Sequence, residues 1–212
     1  MIKQFTFNHF EVNTYLIVDE ATRQCAIVDP AAEASYEDSQ LADYVTSSSL
    51  QVVGILLTHA HVDHIAGLRQ CCEHYGLPVT MHPEGRKLLN QAEAYGSVMG
   101  FAVDNMGDLE VLEINDNDII KVGKTEVECR YVPGHCPGSI CYVVASDKAV
   151  ISGDALFHFS IGRTDLPGGD YPTLISKLKE RILVLPDDYR VLPGHGIPSQ
   201  IGKEKKYNSF LV

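Results

Sequence analysis

Residues 58–64 read Thr-His-Ala-His-Val-Asp-His, directly after the apolar run 52–57. That run reads as a buried strand, and Ile65, Leu68, Cys72 and Tyr75 recur beyond it at helical spacing. Any fold of this chain must therefore end a strand where four potential metal ligands emerge together. Side chains two apart on extended backbone point the same way, so His59 and His61 face one point. Asp63 and His64 follow where the chain turns towards the helix, and they face a second point close by. This geometry suits two metal ions better than one. The simpler alternative is a polar loop that happens to hold histidines, but chance rarely sets three His and an Asp straight after a buried strand.

Three later segments share a layout in which a short strand ends and a turn offers one ligand. They are Val132-Pro133-Gly134-His135, Val150-Ile151-Ser152-Gly153-Asp154 and Val191-Leu192-Pro193-Gly194-His195. Glycine beside each ligand permits close backbone approach. Singly, each would pass for a surface turn. With the first segment they supply five histidines and two aspartates, so two ions sharing one carboxylate would each receive four protein ligands.

Composition narrows the partners. The 212 residues are 45% hydrophobic and 21% charged, which suits a globular domain with a large core. Net charge is −11 with the histidines neutral, which argues against a nucleic-acid or anionic-membrane surface. The one basic cluster, 203–206, contains Glu204 and is expected to be a solvated tail. Six cysteines (Cys25, Cys71, Cys72, Cys129, Cys136, Cys141) form no CxxC pair, and residues 1–5 lack the apolar core of a signal peptide. No apolar stretch reaches membrane-spanning length. A reduced, cytoplasmic setting with mostly core cysteines is expected.

Periodicity sketches the rest. Residues 15–18 and 25–28 read as a β-hairpin about 19–23, and Leu41, Tyr44 and Val45 as one face of a helix before the strand at Val52. Gly76 and Pro78 end the helix after His64, and 79–81 is a short strand. Residues 84–106, with Gly96 and Gly100, suggest a mobile flap or an irregular helix pair. Strands are expected at 118–121 and 125–132 about Gly123, and at 140–144 and 149–151 about Ser146-Asp147. Leu174, Ile175, Leu178, Ile182 and Leu185 form a helical stripe closed by Pro186, and 189–192 is a last short strand. Two strand-rich halves suggest two packed sheets with helices outside.

His59-Ala60-His61-Val62-Asp63-His64, Gly134-His135, Gly153-Asp154 and Gly194-His195 together resemble the motif set of the metallo-β-lactamase superfamily, across nearly the whole chain. The resemblance implies an α/β fold, a four-layer αββα sandwich with the metal site at one edge of the two sheets. It implies that His59, His61 and His135 hold one ion, that Asp63, His64 and His195 hold the other, and that Asp154 bridges. Asp154 stands where β-lactamases often carry cysteine, which argues against lactam hydrolysis. Asn13-Thr14-Tyr15, Ile27-Val28-Asp29-Pro30, the stretch 133–139 and Pro193-Gly194-His195-Gly196 are similar to the glyoxalase II group, the hydroxyacylglutathione hydrolases. Ile161-Gly162-Arg163-Thr164-Asp165 with Gly168-Gly169 resembles its short bacterial branch. Residues 1–212 are accordingly expected to form one domain without the separate C-terminal helical domain that helps full-length members bind glutathione.

The implied activity is hydrolysis of a thioester such as S-D-lactoylglutathione, by hydroxide bridging two divalent ions. Zinc is the expected metal, although His and carboxylate ligands also suit iron and manganese. Asp63 and Asp154 are the expected catalytic residues, with Asp63 able to orient the attacking hydroxide. Arg163 either pairs with a substrate carboxylate or forms a structural ion pair with Asp165 or Asp170. Asp29 either supports a metal-bound imidazole or caps the turn at Pro30, the latter being favoured on sequence alone. The same motifs also resemble persulfide dioxygenases, which use one iron and oxygen. A non-catalytic di-metal module of an oxidoreductase is a third reading, ranked last because the ligand set is complete and no flavin domain is fused.

Overall fold

The first half of the chain builds a six-stranded sheet whose spatial order is its sequence order. Its strands are β1 (Ile2–Phe7), β2 (Val12–Asp19), β3 (Gln24–Val28), β4 (Gln51–Leu56), β5 (Val79–Met81) and β6 (Val111–Glu113). The first three pair antiparallel, and the pairings from β3 to β6 are parallel. The second half builds another sheet of six from β7 (Ile119–Val122), β8 (Thr125–Tyr131), β9 (Ile140–Val144), β10 (Ala149–Gly153), β13 (Arg190–Pro193) and β14 (Ser199–Gln200). Its order is β14-β13-β10-β9-β8-β7, with only the β10/β13 pair parallel. A ribbon of β11 (Leu156–Phe157) and β12 (Ser160–Ile161) stands apart. This computed structural model describes all of residues 1–212.

Three apolar layers follow from alternation along the strands. Leu16, Val18, Cys25, Ile27 and Ile55 face outward into a core shared with Leu41 and Val45 of helix α1 (Ser35–Ser47) and with Leu68 and Cys72 of α2 (Leu68–Tyr75). Their neighbours Tyr15, Ile17, Ala26, Val28 and Leu56 face inward, against Cys129, Tyr142, Val144, Ile151 and Leu192 of the second sheet. Beyond that sheet, Cys141, Val143, Val150 and Val191 meet Leu174 of α5 (Tyr171–Lys177), Leu178 and Ile182 of the π-helical turn continuing it, and Ile201 of α6 (Ile201–Tyr207). With both faces of each sheet covered, the central strands read as continuous apolar runs, and β2 is buried at all eight positions. The layers are helix, sheet, sheet, helix. All six cysteines are buried and free. No helix is long and apolar enough to cross a membrane.

Residues 84–106 hold a pair of short helices, α3 (Arg86–Asn90) and α4 (Ala92–Met99), the second closed by Gly100 in the left-handed region. The expected solvated tail at 203–206 is instead part of α6. Glu204 is fully buried there, accepting from the Phe159 backbone N–H, the Ser199 hydroxyl and Asn208 Nδ2. These bonds tie the helix to the β11–β12 ribbon, and the lysines lie on its outer side. Asp170 caps the start of α5 by accepting from the Thr173 N–H, and Pro172 occupies the first turn, where its missing N–H costs nothing.

The sheets are stitched together at one end. The Tyr15 hydroxyl on β2 donates to the Pro193 carbonyl at 2.7 Å, and the Tyr142 hydroxyl on β9 donates to the Leu57 carbonyl at 2.7 Å. Backbone N–H groups of Asn13 and Ile140 donate to Gly194 and Thr58 at 2.7 and 2.8 Å. Each sheet thus grips the strand end of the other from which the ligand-bearing turns depart.

Candidate metal centre

All seven sequence-proposed ligands converge at this stitched end. After β4 the chain runs through Thr58, His59 and His61 into a 3₁₀ turn, Val62–Ile65, which turns Asp63 and His64 back towards the strand end. The helix expected straight after His64 begins only at Leu68, because this turn is spent on ligand placement. His135 follows β8, Asp154 follows β10 and His195 follows β13. Gly194 makes room for the cluster: a Cβ there would overlap Asp154 Oδ1 and crowd His64.

Outer hydrogen bonds set the ring tautomers. His135 and His195 have Nδ1 at 2.8 and 2.9 Å from the carbonyls of Arg163 and Phe10, so both Nδ1 atoms carry the hydrogen. His64 Nδ1 donates to Asp29 Oδ2 at 3.0 Å. The Thr58 hydroxyl donates to the same oxygen at 2.6 Å, leaving its own oxygen to accept from His59 Nδ1 at 3.0 Å. Asp29 thus steadies His64 directly and His59 through Thr58, while its Oδ1 takes the Thr58 N–H at 2.7 Å. This corrects the expectation that Asp29 caps the turn at Pro30: its carboxylate is occupied by Thr58 and His64. In each of these four rings the outward hydrogen leaves Nε2 aimed at the centre.

Two groups form around Asp154. His59, His61 and His135 bring ligand atoms within 4.8 Å of one another, as do Asp63, His64 and His195. His61 Nδ1 lies 2.9 Å from His135 Nε2. On the other side, His195 Nε2 lies 3.2 Å from Asp63 Oδ2 and 3.4 Å from His64 Nε2. Asp154 stands between, with Oδ1 3.3 Å from His64 Nε2 and Oδ2 3.7 Å from His135 Nε2 and 3.6 Å from His195 Nε2. Ligands about 2.0–2.1 Å from a tetrahedral ion stand about 3.3 Å apart, so these separations match edges of coordination tetrahedra. His59 Nε2 and Asp154 Oδ1 are buried without any hydrogen-bond partner, and a cation held at this centre would supply what each lacks.

Charge divides the two groups as well. Burial, reinforced by neighbouring imidazoles, pushes His59 well down and His61 down to about 4, so both rings are neutral with a lone pair free. Burial also lowers His64 and His195, but the carboxylates of Asp154 and Asp63 override it and raise both. A cation, proton or metal, is therefore favoured in the second group. Burial raises Asp154, yet the surrounding imidazoles outweigh it and hold the carboxyl well below its usual range. Cys136 Sγ also comes near the first group but faces the Ser139 hydroxyl at 3.3 Å, and burial pushes its thiol up to about 12.

The centre forms the floor of a cavity of about 480 Å³. Arg163 reaches its rim, where its guanidinium pairs with Asp165 through two bonds of 2.8 and 2.7 Å, so the Asp165 ion pair is the one formed. Sequence reasoning left three supports without a role: Thr58, the Phe10 carbonyl, and Asn13, whose Nδ2 donates to Pro193 and Gly196 carbonyls and shapes the His195 turn. It also missed the cavity's apolar wall on α3 and α4.

A profile described as the metallo-beta-lactamase superfamily matches residues 8–195. The chain belongs to the metallo-β-lactamase superfamily. Divalent metal binding and hydrolase chemistry come with that membership, and the His/Asp clusters are where this superfamily member can hold the metal. It is 35% identical over 209 residues to hydroxyacylglutathione hydrolase GloC of Haemophilus influenzae, covering 95% of this chain and 93% of the relative. Among solved structures, BLEG-1 B3 metallo-beta-lactamase superposes with a TM-score of 0.90 at 30% identity, covering both chains fully. TTHA1623 in a di-iron-bound form gives 0.87 at 33% identity, covering 99% of this chain and 100% of that one.

Proposed function

We propose that this superfamily member hydrolyses thioesters at a centre of two divalent ions, zinc in the first instance. The division of the ligands into two groups about Asp154 carries the reading. Similarity to GloC along nearly its whole length supports the thioester. His59, His61 and His135 would hold one ion, and Asp63, His64 and His195 the other, with Asp154 shared. When bound, the ions supply a Lewis acid for the substrate carbonyl and lower the pKa of water towards neutrality.

The chain's own residues do the positioning. Outward hydrogen bonds to Asp29, Thr58, Arg163 and Phe10 fix four of the five imidazoles before any ligand arrives, which limits reorganisation during reaction. Asp63 faces the cavity and accepts a hydrogen bond from the attacking water, aligning it on the carbonyl carbon. A thiolate leaves without a strong acid, so the cavity floor needs no further proton donor. Arg163 can exchange Asp165 for a substrate carboxylate at the rim.

The test is release of free thiol from S-D-lactoylglutathione by protein loaded separately with zinc and with iron, with oxygen followed in parallel. Thiol release abolished by a chelator and without oxygen uptake is expected. Oxygen uptake by the iron form on a persulfide would replace hydrolysis with the dioxygenase reading. A lactam cleaved faster than any thioester would assign the chain the activity named for BLEG-1.

A further inference from the structure

We infer that the group flanking the reacting carbonyl is an apolar chain, seated against α4; this deepens the thioester reading and rests on it. The cavity that the metal centre borders is also lined by Leu88 of α3 and Ala92, Tyr95, Val98 and Met99 of α4, with Phe10 completing an apolar wall. Tyr95, Val98 and Met99 recur at helical spacing on one face and are 41, 81 and 45% exposed. Solvated apolar clusters of this kind mark binding surfaces, and this one is continuous with the metal ligands His61 and Asp63. The helix is anchored at its start by Ala92, which is buried in the core while bordering the cavity, and Gly96 lets it lie close to Val62 in the ligand turn.

Charge points the same way. Arg163 is the one Lys or Arg lining the cavity, and Asp165 already neutralises it. A thiol bearing two carboxylates, as glutathione does, would find one shared guanidinium in a chain of net charge −11. An alkyl or aryl group would instead find a preformed wall beside the centre.

Two series of thioesters test this on the metal-loaded protein. In one, N-acetylcysteamine carries acetyl, butyryl, hexanoyl or octanoyl; in the other, acetyl is carried by ethane-, butane- or hexanethiol. In whichever series places its chain on α4, kcat/KM should rise roughly fourfold per methylene, the equivalent of about 0.8 kcal/mol. The double variant Val98→Ser/Met99→Ser alters solvent-facing positions and should flatten that slope. Calorimetric binding of S-alkyl thioethers, which cannot be hydrolysed, reads the same wall without turnover. Turnover with flat slopes in both series, or a preference for S-D-lactoylglutathione, would overturn the apolar wall and leave the hydrolase standing. Thioether affinity that climbs with chain length, with no thioester cleaved, would keep the wall and remove the thioesterase. Neither trend nor turnover would remove both.

Discussion

At the residue scale, Asp154 and Asp29 make different predictions although both are buried carboxylates in the same cluster. Asp154 offers its oxygens to both ligand groups, so Asp154→Ala should bind fewer than two equivalents of metal and lose more than about a hundredfold in kcat, beyond the usual effect of a supporting residue. Metal analysis beside steady-state rates checks it; two equivalents with unchanged kcat would remove the shared-ligand role. Asp29 has its carboxylate engaged by three hydrogen bonds, accepted from Thr58 and His64. Asp29→Asn turns an amide N–H towards those donors, and metal affinity should fall about 10- to 100-fold in competition with a chromophoric chelator. The clustering of the seven proposed ligands was legible in sequence because coordination would demand particular side chains, and glycine marks the turns that present them. The Phe10 carbonyl that orients His195 was not, since any residue could supply it. Asp29 was misjudged because its partner Thr58 becomes a neighbour only through the parallel pairing of β3 with β4.

Elements divide by length and by coverage. Strands buried on both faces, such as β2 and β9, were visible as apolar runs. β14 and the β11–β12 ribbon are two residues per strand, too short to carry a period, and β6 lies half-exposed at a sheet edge. The α3–α4 pair shows weak periodicity because Tyr95, Val98 and Met99 of α4 are exposed apolar residues where a solvated helix would be polar, so the feature that hid it is the one that makes it a wall. The turn at Gly134 offers a test of how tightly elements hold the ligands. Its φ is +118°, and an added Cβ would sit 2.5 Å from the Leu174 nitrogen at the start of α5. Gly134→Ala should cost about 1–3 kcal/mol in chemical denaturation through backbone strain, with metal affinity weakened in parallel as His135 shifts. Unaltered stability and affinity would mean that α5 yields freely.

For the whole molecule, the expected two-sheet arrangement was readable from two strand-rich halves, whereas their spatial order was not, because β10 pairs with β13 across a ribbon and a helix. The proposed ligands come from both sheets, so bound ions would add to the stitching by Tyr15 and Tyr142. Each ion at a thousandfold over its Kd contributes about 4 kcal/mol, so chelation should lower Tm by about 8–16 °C per ion removed for a chain of this size. Differential scanning calorimetry with and without chelator reads this, and an unchanged Tm would mean that the sheets close without the ions. The two sheets also occupy separate stretches of chain, joined only through the exposed link 115–118. Four ligands precede that link and three follow it. Cutting there would leave two fragments, each with an incomplete set and a bare inner face, and their reunion would depend on the concentration of free metal: the protein is, in effect, a split reporter whose two parts happen to be covalently joined.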